Sequence, residues 1–304
     1  MTEKQIFITG ASGFIGRHLV AMLTSQGAKI VALTRAVHNS QGNIKWVSGK
    51  PTAAGEWQQA INDCHAVINL AGEPIIDRRW TATQKQRIRD SRVKTTEQVV
   101  AAIKQAAVRP TVLVNASAIG YYAKNEETAL DETAAPAKDF LGELCVAWEE
   151  AARPVEALGV RLVFLRIGVV LGREGGALAK MLPPFKLGLG GPAGSGTQWV
   201  SWIHIDDLVN LIQFAIEHNE IKGPLNGVAP NPVRMKELAQ ELGRALHRPA
   251  IFPVPGFMLQ LLMGEGAQVV LDGQRILPKV AEQAGYQFRF ANLANALRDL
   301  LVHA

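Results

Sequence analysis

Three glycines spaced three residues apart, Gly10, Gly13 and Gly16, restrict what the start of this chain can form. The apolar run QIFIT precedes them at 5–9, and apolar residues follow at helical spacing over 15–23. In a strand–turn–helix unit such glycines permit a tight turn, close approach to a pyrophosphate and close helix packing, and the helix N-terminus faces the phosphates. The pattern predicts a dinucleotide-binding turn, with a glycine turn that holds no ligand as the alternative. The residues expected to contact the dinucleotide here are Gly10, Ser12, Gly13, Phe14, Ile15 and Gly16.

Apolar runs alternate with segments of helical spacing along the first half of the chain. The apolar runs lie at 5–9, 29–33, 66–70, 111–115 and 161–166, and helical spacing occurs at 93–104 and 140–152. Strands that are apolar throughout are typical of a parallel sheet covered on both faces. The sequence therefore predicts an α/β fold, a doubly wound parallel sheet of the Rossmann type.

After Gly172 the pattern becomes less regular. A glycine-rich segment occupies 186–197, and helices are expected at 206–217 and 235–246 among scattered prolines. We predict a dinucleotide-binding domain of residues 1–172 and a smaller, mostly helical C-terminal lobe of residues 173–304, whose strands can return to the first domain. The glycine-rich segment is either a lid over a cleft or a surface linker.

Composition narrows the classes of protein to consider. The 304 residues are 48% hydrophobic and 19% charged, which excludes a disordered chain. Cys64 and Cys145 have no metal-ligand spacing, so we predict buried reduced thiols and no metal. The net charge of +5 is mostly spread out, which argues against a nucleic-acid partner. With no signal peptide and no apolar run of membrane length, we expect a cytoplasmic protein without a membrane partner.

The residues after the second strand indicate which dinucleotide is bound. Arg35 follows Thr34 at the end of this strand, nineteen residues after Gly16. An acidic residue at this point binds the ribose 2′-hydroxyl of NAD, whereas an arginine accommodates the 2′-phosphate of NADP. Thr34 and Arg35 therefore predict NADP(H), with a solvated surface arginine as the alternative.

The third strand ends in small residues followed by a carboxylate. Leu70, Ala71 and Gly72 stand at its carboxyl end, where an open α/β sheet binds its ligands. We expect these three residues to line the cofactor. Glu73 is then close to the expected nicotinamide, unless it caps the following helix.

Two motifs together, TGASGFIG at 9–16 and NLAG at 69–72, resemble those of the extended short-chain dehydrogenase/reductases, the nucleotide-sugar epimerase and dehydratase group. More narrowly, the chain resembles an atypical subfamily, the epimerase-family proteins with an extra C-terminal domain. The stretches that carry this likeness are NLAGEPI at 69–75, SAIGYY at 117–122, RIGVVLG at 166–172 and WIHID at 202–206. The resemblance covers nearly the whole chain. It implies NADP(H) and contacts from Arg87, Arg92 and Val170, and it implies no particular substrate.

The catalytic positions depart from the wider family. That family carries a Tyr-x-x-x-Lys pair in which the tyrosine is the acid/base. Phe140 and Leu144 stand at the positions that we assign to this pair, and neither can perform its chemistry. Ser117 fits the family's helper hydroxyl when counted back from Tyr121, whereas counting back from Tyr122 reaches an alanine.

Two hypotheses follow from the missing pair. In the first, the protein is an oxidoreductase or epimerase that acts on a small polar, nucleotide-sugar-like molecule, and another group carries the proton. The candidate groups are Ser117, Tyr121, Tyr122, Glu73 and His204. Arg166 is expected to lower the pKa of a neighbouring phenol, and His204 titrates in a useful range, although a structural histidine is the alternative. In the second hypothesis, the protein binds NADP(H) without turnover and regulates or scaffolds a protein partner.

Overall fold

Strands and helices alternate along the computed structural model, which describes residues 3–36 and 39–302. In chain order, the strands are β1 (Gln5–Thr9), β2 (Lys29–Thr34), β3 (Ile44–Ser48), β4 (Ala66–Asn69), β5 (Val112–Ala118), β6 (Asn125–Leu130), β7 (Arg161–Ile167), β8 (Val169–Gly172), β9 (Trp199–Val200), β10 (Trp202–His204), β11 (Gly223–Gly227), β12 (Val233–Arg234) and β13 (Gln274–Ile276). The α-helices are α1 (Phe14–Ser25), α2 (Ala82–Gln105), α3 (Phe140–Ala152), α4 (Gly176–Lys186), α5 (Ile205–Glu217), α6 (Met235–Leu246), α7 (Gly256–Met263), α8 (Gln268–Leu271), α9 (Lys279–Gln283) and α10 (Leu293–Val302).

The central sheet has seven parallel strands in the order β11-β7-β5-β4-β1-β2-β3. The chain leaves β1 toward β2 and β3, and then crosses back to β4 and β5 on the other side. This reversal opens a crevice at the carboxyl ends of β1 and β4, which is where open α/β sheets bind ligands. The predicted doubly wound parallel sheet is confirmed.

Alternate side chains of the sheet enter two separate cores. Ile6 and Ile8 of β1 pack with α1, α5, α6 and α10, whereas Phe7 points the other way and packs with α2. Because a strand repeats every two residues, a strand that is apolar at every position must be covered on both faces. This arrangement is the physical reason for the continuous apolar runs in the sequence.

Several predicted elements are confirmed at their bounds, and two strands had no clear signal. The helices predicted at 140–152 and 235–246 are α3 and α6. The strand β3 lies at the sheet edge, half-buried and carrying an exposed Lys45, so it lacks a continuous apolar run. The strand β11 reads GPLNG, which is turn-like, yet it pairs with β7 at the opposite edge. The C-terminal part thus returns one strand to the sheet.

The C-terminal part is mainly helical, and its helices α5, α6 and α10 contribute to the core on one face of the sheet. Its short strand β13 pairs with β6, and β12 pairs with β9. The glycine-rich segment after α4 is bonded to a later stretch of backbone: Phe252 donates to the Gly190 carbonyl at 3.0 Å, and Val254 donates to Pro192 at 2.9 Å. No helix among the described residues has the length and apolar character needed to cross a membrane.

Candidate functional site

The glycine turn after β1 is held by close backbone contacts. Gly10 has φ of +70°, and the N–H of Gly13 donates to its carbonyl at 2.9 Å. A Cβ on Gly16 would lie 2.2 Å from the Gly10 carbonyl oxygen, and a Cβ on Gly10 would lie 2.8 Å from the carbonyl carbon of Leu70. Only glycine therefore fits at these two positions. No side chain caps α1 at Gly13, so its first N–H groups are available to a phosphate.

A buried hydrogen-bond chain fixes the ends of β1, β4 and β5 beside this turn. Thr9 Oγ1 donates to Asn69 Oδ1 at 2.6 Å and accepts from the N–H of Ala71 at 3.2 Å. Asn69 Nδ2 in turn donates to Asn115 Oδ1 at 2.7 Å and to Thr96 Oγ1 at 2.9 Å. This chain holds the predicted cofactor-lining residues Leu70 and Ala71 against Gly10, and Gly72 follows them. Asn115 and Thr96 were not among the site residues predicted from the sequence.

Thr34 and Arg35 have different environments at the end of β2. Thr34 is buried, and its hydroxyl accepts from the N–H of Ala36 at 3.1 Å, which shapes the turn. Arg35 is exposed immediately beyond it. Since β2 is the neighbour of β1 in the sheet, Arg35 follows a strand that ends beside the crevice. The position suits recognition of a phosphate on the adenosine ribose.

Arg92 of α2 is a buried cation at the crevice. Its side chain packs on Gly72, where a Cβ would lie 3.1 Å from Arg92 Cζ, and its guanidinium lies over the Trp148 ring at 5.1 Å. Nη1 donates to the Ile88 carbonyl at 3.1 Å, but the buried Nε has no hydrogen-bond partner among the described residues. Burial lowers the pKa of Arg92 to about 10. A buried donor without a partner beside the predicted cofactor path is a position that a polar cofactor group would satisfy.

Arg87 lies on the exposed surface of the same helix. It is one turn before Ser91, whose hydroxyl accepts from the backbone N–H of Glu73 at 2.9 Å. Glu73 is half-buried and does not cap α2. That cap is Thr81, whose hydroxyl accepts from the N–H of Gln84 at 3.1 Å. The carboxylate of Glu73 is therefore free of the capping role that the sequence allowed.

Phe14 and Val170 join the turn to the end of β8. The Phe14 ring packs on Gly172 and Gly175, where a Cβ would lie 2.4 and 2.5 Å from ring atoms. Val170 is buried and pairs with Ile203 across β8 and β10. The start of α1 and the end of β8 thus border the same crevice.

Our assignment of the missing catalytic pair was wrong by one residue. The contacts between α3 and the end of β5 show this. A Cβ on Gly120 would lie 3.2 Å from Leu141 Cβ, and the Cys145 thiol lies 3.7 Å from the Ala118 carbonyl. Phe140 instead packs edge-on against Trp80, with ring centres 5.0 Å apart. The two positions with i, i+4 spacing that face the strand end are therefore Leu141 and Cys145, one residue later than Phe140 and Leu144. Neither is a tyrosine or a lysine, and burial raises the pKa of Cys145 to about 12.

Ser117 is hydrogen-bonded to a buried ion pair that was not predicted from the sequence. Its hydroxyl donates to Glu149 Oε1 at 2.7 Å. Arg166 binds the same carboxylate through two bonds of 2.9 Å, and both side chains are buried. Burial alone would lower the pKa of Arg166, but its bonds to Glu149 outweigh that effect and raise it. Glu149 lies one turn after Cys145 on the same buried side of α3, and this spacing is the feature of the sequence that could have identified it.

The two adjacent tyrosines have different environments. Tyr122 is buried, donates to Asn226 Oδ1 at 2.7 Å and accepts from Arg166 Nη1 at 2.9 Å. Burial raises the pKa of Tyr122 to about 12 and outweighs the lowering effect of Arg166, contrary to our expectation. Tyr121 is only half-buried, and its ring lies over the Arg166 guanidinium at 3.4 Å.

His204 has a structural position at the start of α5. Its Nδ1 accepts from the N–H of Asp206 at 3.1 Å, so His204 caps this helix. The ring is 1% exposed, stacks on Phe290 at 3.9 Å and directs Nε2 toward Asp299 at 3.5 Å. Burial lowers the pKa of His204 in spite of the nearby carboxylates. The ring therefore packs on the C-terminal segment.

Comparison with known proteins agrees with the resemblance inferred from the motifs. Residues 6–226 match the NAD dependent epimerase/dehydratase family, and residues 254–300 match a domain of unknown function, DUF1731. An epimerase family protein of Arabidopsis thaliana, the chloroplastic SDR39U1 homolog, is 45% identical over 99% of this chain and 87% of its own length. The epimerase family protein YfhF of Bacillus subtilis is 40% identical and covered to 97% in both chains.

Two crystal structures of relatives are similar along nearly the whole chain. The human epimerase family protein SDR39U1, isoform 2, was crystallised with NADPH; it has a TM-score of 0.89 and 36% identity over 99% of this chain and 100% of that one. A nucleoside-diphosphate sugar epimerase from Corynebacterium glutamicum has a TM-score of 0.79 and 30% identity over 99% of this chain and 59% of that one. The cofactor of the human relative is the one predicted from Arg35.

Proposed function

The chain belongs to the NAD dependent epimerase/dehydratase family, and on that premise we propose that it binds NADP(H) and catalyses hydride transfer on a small polar molecule. The proposal rests on one observation: the glycine turn and Arg92 lie at the same crevice. The turn offers uncapped helix N–H groups, and Arg92 offers a buried donor that lacks a partner. Both features match the polar and anionic groups of a dinucleotide.

Arg35 supports NADP(H) over NAD(H). It is an exposed cation beyond the buried Thr34, at the strand end where NAD-binding proteins carry an acid. NADP(H), when bound, supplies or accepts the hydride. The chain's own residues must then position the reacting carbon and carry the proton.

Tyr121 is the proton-carrying group that the geometry supports best. Of the five candidates, Ser117 donates its proton to Glu149, and Tyr122 and His204 are buried and bonded elsewhere. Tyr121 and Glu73 are the two with solvent-accessible side chains beside the ends of β5 and β4. The Tyr121 ring stacks on the Arg166 guanidinium at 3.4 Å, which fixes the phenol beside the end of β5.

A nucleotide sugar is the substrate class that the relatives favour. A relative that is 30% identical is described as a nucleoside-diphosphate sugar epimerase. A thermal-shift screen with NADPH present, over nucleotide sugars and other small polar metabolites, tests this directly. A shift with a nucleotide sugar, followed by consumption of NADPH or interconversion of the sugar, supports the proposal. If no metabolite changes the melting temperature, the small-molecule hypothesis is wrong.

A second candidate function, a non-catalytic NADPH-binding regulator, is favoured by one observation. The two positions of α3 that face the end of β5 hold Leu141 and Cys145, and the nearby Ser117 proton is already committed to Glu149. Such a protein would capture a protein partner only when NADPH is present and would turn over no metabolite. Pull-down experiments with and without NADPH, alongside the metabolite screen, separate the two functions.

A further inference from the structure

Arg92 is a buried cation beside one position of the missing catalytic pair. Its guanidinium lies over the Trp148 ring at 5.1 Å, and Trp148 follows Cys145 by three residues on the same buried side of α3. Cys145 is also among the groups that act on the charge of Arg92. The corrected register places Cys145 where the wider family carries its lysine. A cation therefore stands beside this position, but it comes from α2 instead of α3.

The charge of Arg92 is not neutralised as the charge of Arg166 is. Arg166 binds the Glu149 carboxylate through two hydrogen bonds. Among the described residues, Arg92 donates to neutral oxygens, the Ile88 carbonyl at 3.1 Å and the Ser91 hydroxyl at 3.5 Å, and its Nε has no partner. Burying such a cation is costly unless another group completes its hydrogen bonds. Arg92 therefore has a donor left for a ligand.

Gly72 makes room for this guanidinium at the carboxyl end of β4. A Cβ on Gly72 would lie 3.1 Å from Cζ of Arg92, 3.3 Å from its Nη2 and 3.4 Å from its Nη1. A side chain at residue 72 would therefore crowd the guanidinium. The cation thus stands at the edge of the sheet where the crevice opens.

The order of the strands indicates which half of NADP(H) reaches this cation. A doubly wound sheet has two mononucleotide-binding halves that meet where the strand order reverses, here between β1 and β4. The adenosine half belongs to the side of β1 and β2, because Arg35 follows β2. Arg92 contacts Gly72 and Trp148 on the opposite side of the reversal. That side is left for the nicotinamide nucleotide.

We propose that Arg92 binds the nicotinamide nucleotide half of NADP(H) and supplies there the positive charge that the wider family takes from the lysine of its Tyr-x-x-x-Lys pair. The donor is the guanidinium, whose Nε is without a partner in the folded chain. Neither Leu141 nor Cys145 can supply that charge. The inference rests on the proposed function, because it presupposes a bound cofactor.

The test compares the binding of NADPH and of 2′,5′-ADP, a fragment without the nicotinamide nucleotide, by isothermal titration of the full chain. Arg92→Met should weaken NADPH binding by about 10- to 100-fold, the range of one charge-assisted hydrogen bond, and change 2′,5′-ADP binding by less than about twofold. The matched control is Arg89→Met, which removes an exposed arginine from the same helix and should change neither affinity. Unchanged circular dichroism and 2′,5′-ADP binding would show that Arg92→Met is folded.

Moving the cation back to α3 separates a role of charge from a role of packing. Added to Arg92→Met, Cys145→Lys places a cation at the position of the family's lysine. It should recover NADPH affinity by roughly fivefold, short of the wild-type value because an ammonium forms fewer fixed hydrogen bonds than a guanidinium. Cys145→Met adds comparable bulk without charge and should recover none. If the lysine recovers no more affinity than the methionine, the proposal is overturned.

The outcomes also separate this inference from the proposed function. If the wild-type chain binds neither NADPH nor 2′,5′-ADP, the proposed function is wrong and this inference falls with it. If the wild-type chain binds NADPH, and Arg92→Met weakens both ligands equally or neither of them, only the role of Arg92 is overturned. A loss confined to NADPH supports the proposal.

Discussion

The guanidinium carbon of Arg166 lies 3.4 Å from the centre of the Tyr121 ring, while its nitrogens bind Glu149 and the hydroxyl of Tyr122. One buried cation therefore organises two tyrosines that are adjacent in sequence. It stacks under the half-exposed Tyr121 and fixes the buried Tyr122 at its oxygen. The two phenols can be distinguished by mutation because of this difference.

Replacing Tyr121 by phenylalanine tests the proposed proton carrier. We expect Tyr121→Phe to lower kcat by about 100-fold or more on any substrate found, since general acid–base groups contribute on that scale. The matched variant Tyr122→Phe should leave kcat nearly unchanged and should destabilise the fold by about 1–3 kcal/mol, because Asn226 and Arg166 lose a buried partner. Steady-state kinetics and chemical denaturation measure the two effects. Equal loss of kcat in both variants would contradict the assignment.

Arg35 should determine the choice between the two dinucleotides. A lost charge-assisted contact with the 2′-phosphate costs about 2 kcal/mol, so Arg35→Ala should weaken NADPH binding by about 30-fold and leave NADH little changed. Lys29→Ala, at the other end of β2 and also exposed, serves as the control. Isothermal titration with both cofactors is the measurement. Tighter binding of NADH than NADPH by the wild-type protein would refute the argument.

Glu149 should matter far more for stability than its neighbour Glu150. Glu149→Gln leaves the Arg166 charge buried and unpaired, which costs about 3–5 kcal/mol of unfolding free energy. Glu150→Gln breaks only the exposed pair with Arg153, so its effect should stay below about 1 kcal/mol. Urea denaturation compares them. Similar values for the two variants would mean that the buried pair contributes no more than an exposed one.

His204 should make the fold sensitive to acid. Burial lowers its pKa in the folded state, so between its folded pKa and its ordinary value near 6.5 it is protonated only when unfolded. The unfolded state then binds more protons, and stability falls as the pH drops below about 6.5, by at most about 1.4 kcal/mol per pH unit. The nearby Asp206, Asp299 and Asp207 raise this pKa and Arg289 lowers it, and burial outweighs the three carboxylates.

The measurement is the unfolding free energy at a series of pH values for wild type and His204→Asn. Asparagine keeps a capping oxygen and removes the titration, so the variant should lose less stability on acidification. His247→Asn is the control, because that exposed residue has φ of +53°, which asparagine tolerates. Parallel pH profiles for wild type and His204→Asn would exclude His204 as the cause.

The sequence predicted the fold where backbone conformation and hydrophobic periodicity determine it. The glycines of the turn allow one local geometry, and continuous apolar runs require a sheet covered on both faces, so the fold followed from them. The phase of α3 was harder, because Phe140 and Leu141 are both apolar and a shift of one residue turns a helix by about 100°. Contacts such as Glu149 with Arg166 join residues on different elements, and only the folded chain brings them together.

The strand β11 at one edge of the sheet has a consequence for the order in which a nascent chain can complete its fold. Its neighbour β7 ends at Ile167, and β11 begins only at Gly223. At ordinary synthesis rates, roughly 3–11 s pass before the partner has been made. During that interval the apolar strand RLVFLRI has an open edge, which is the kind of surface that pairs with other chains. An incomplete chain of this protein therefore exposes an apolar sheet edge that β11 covers in the finished fold.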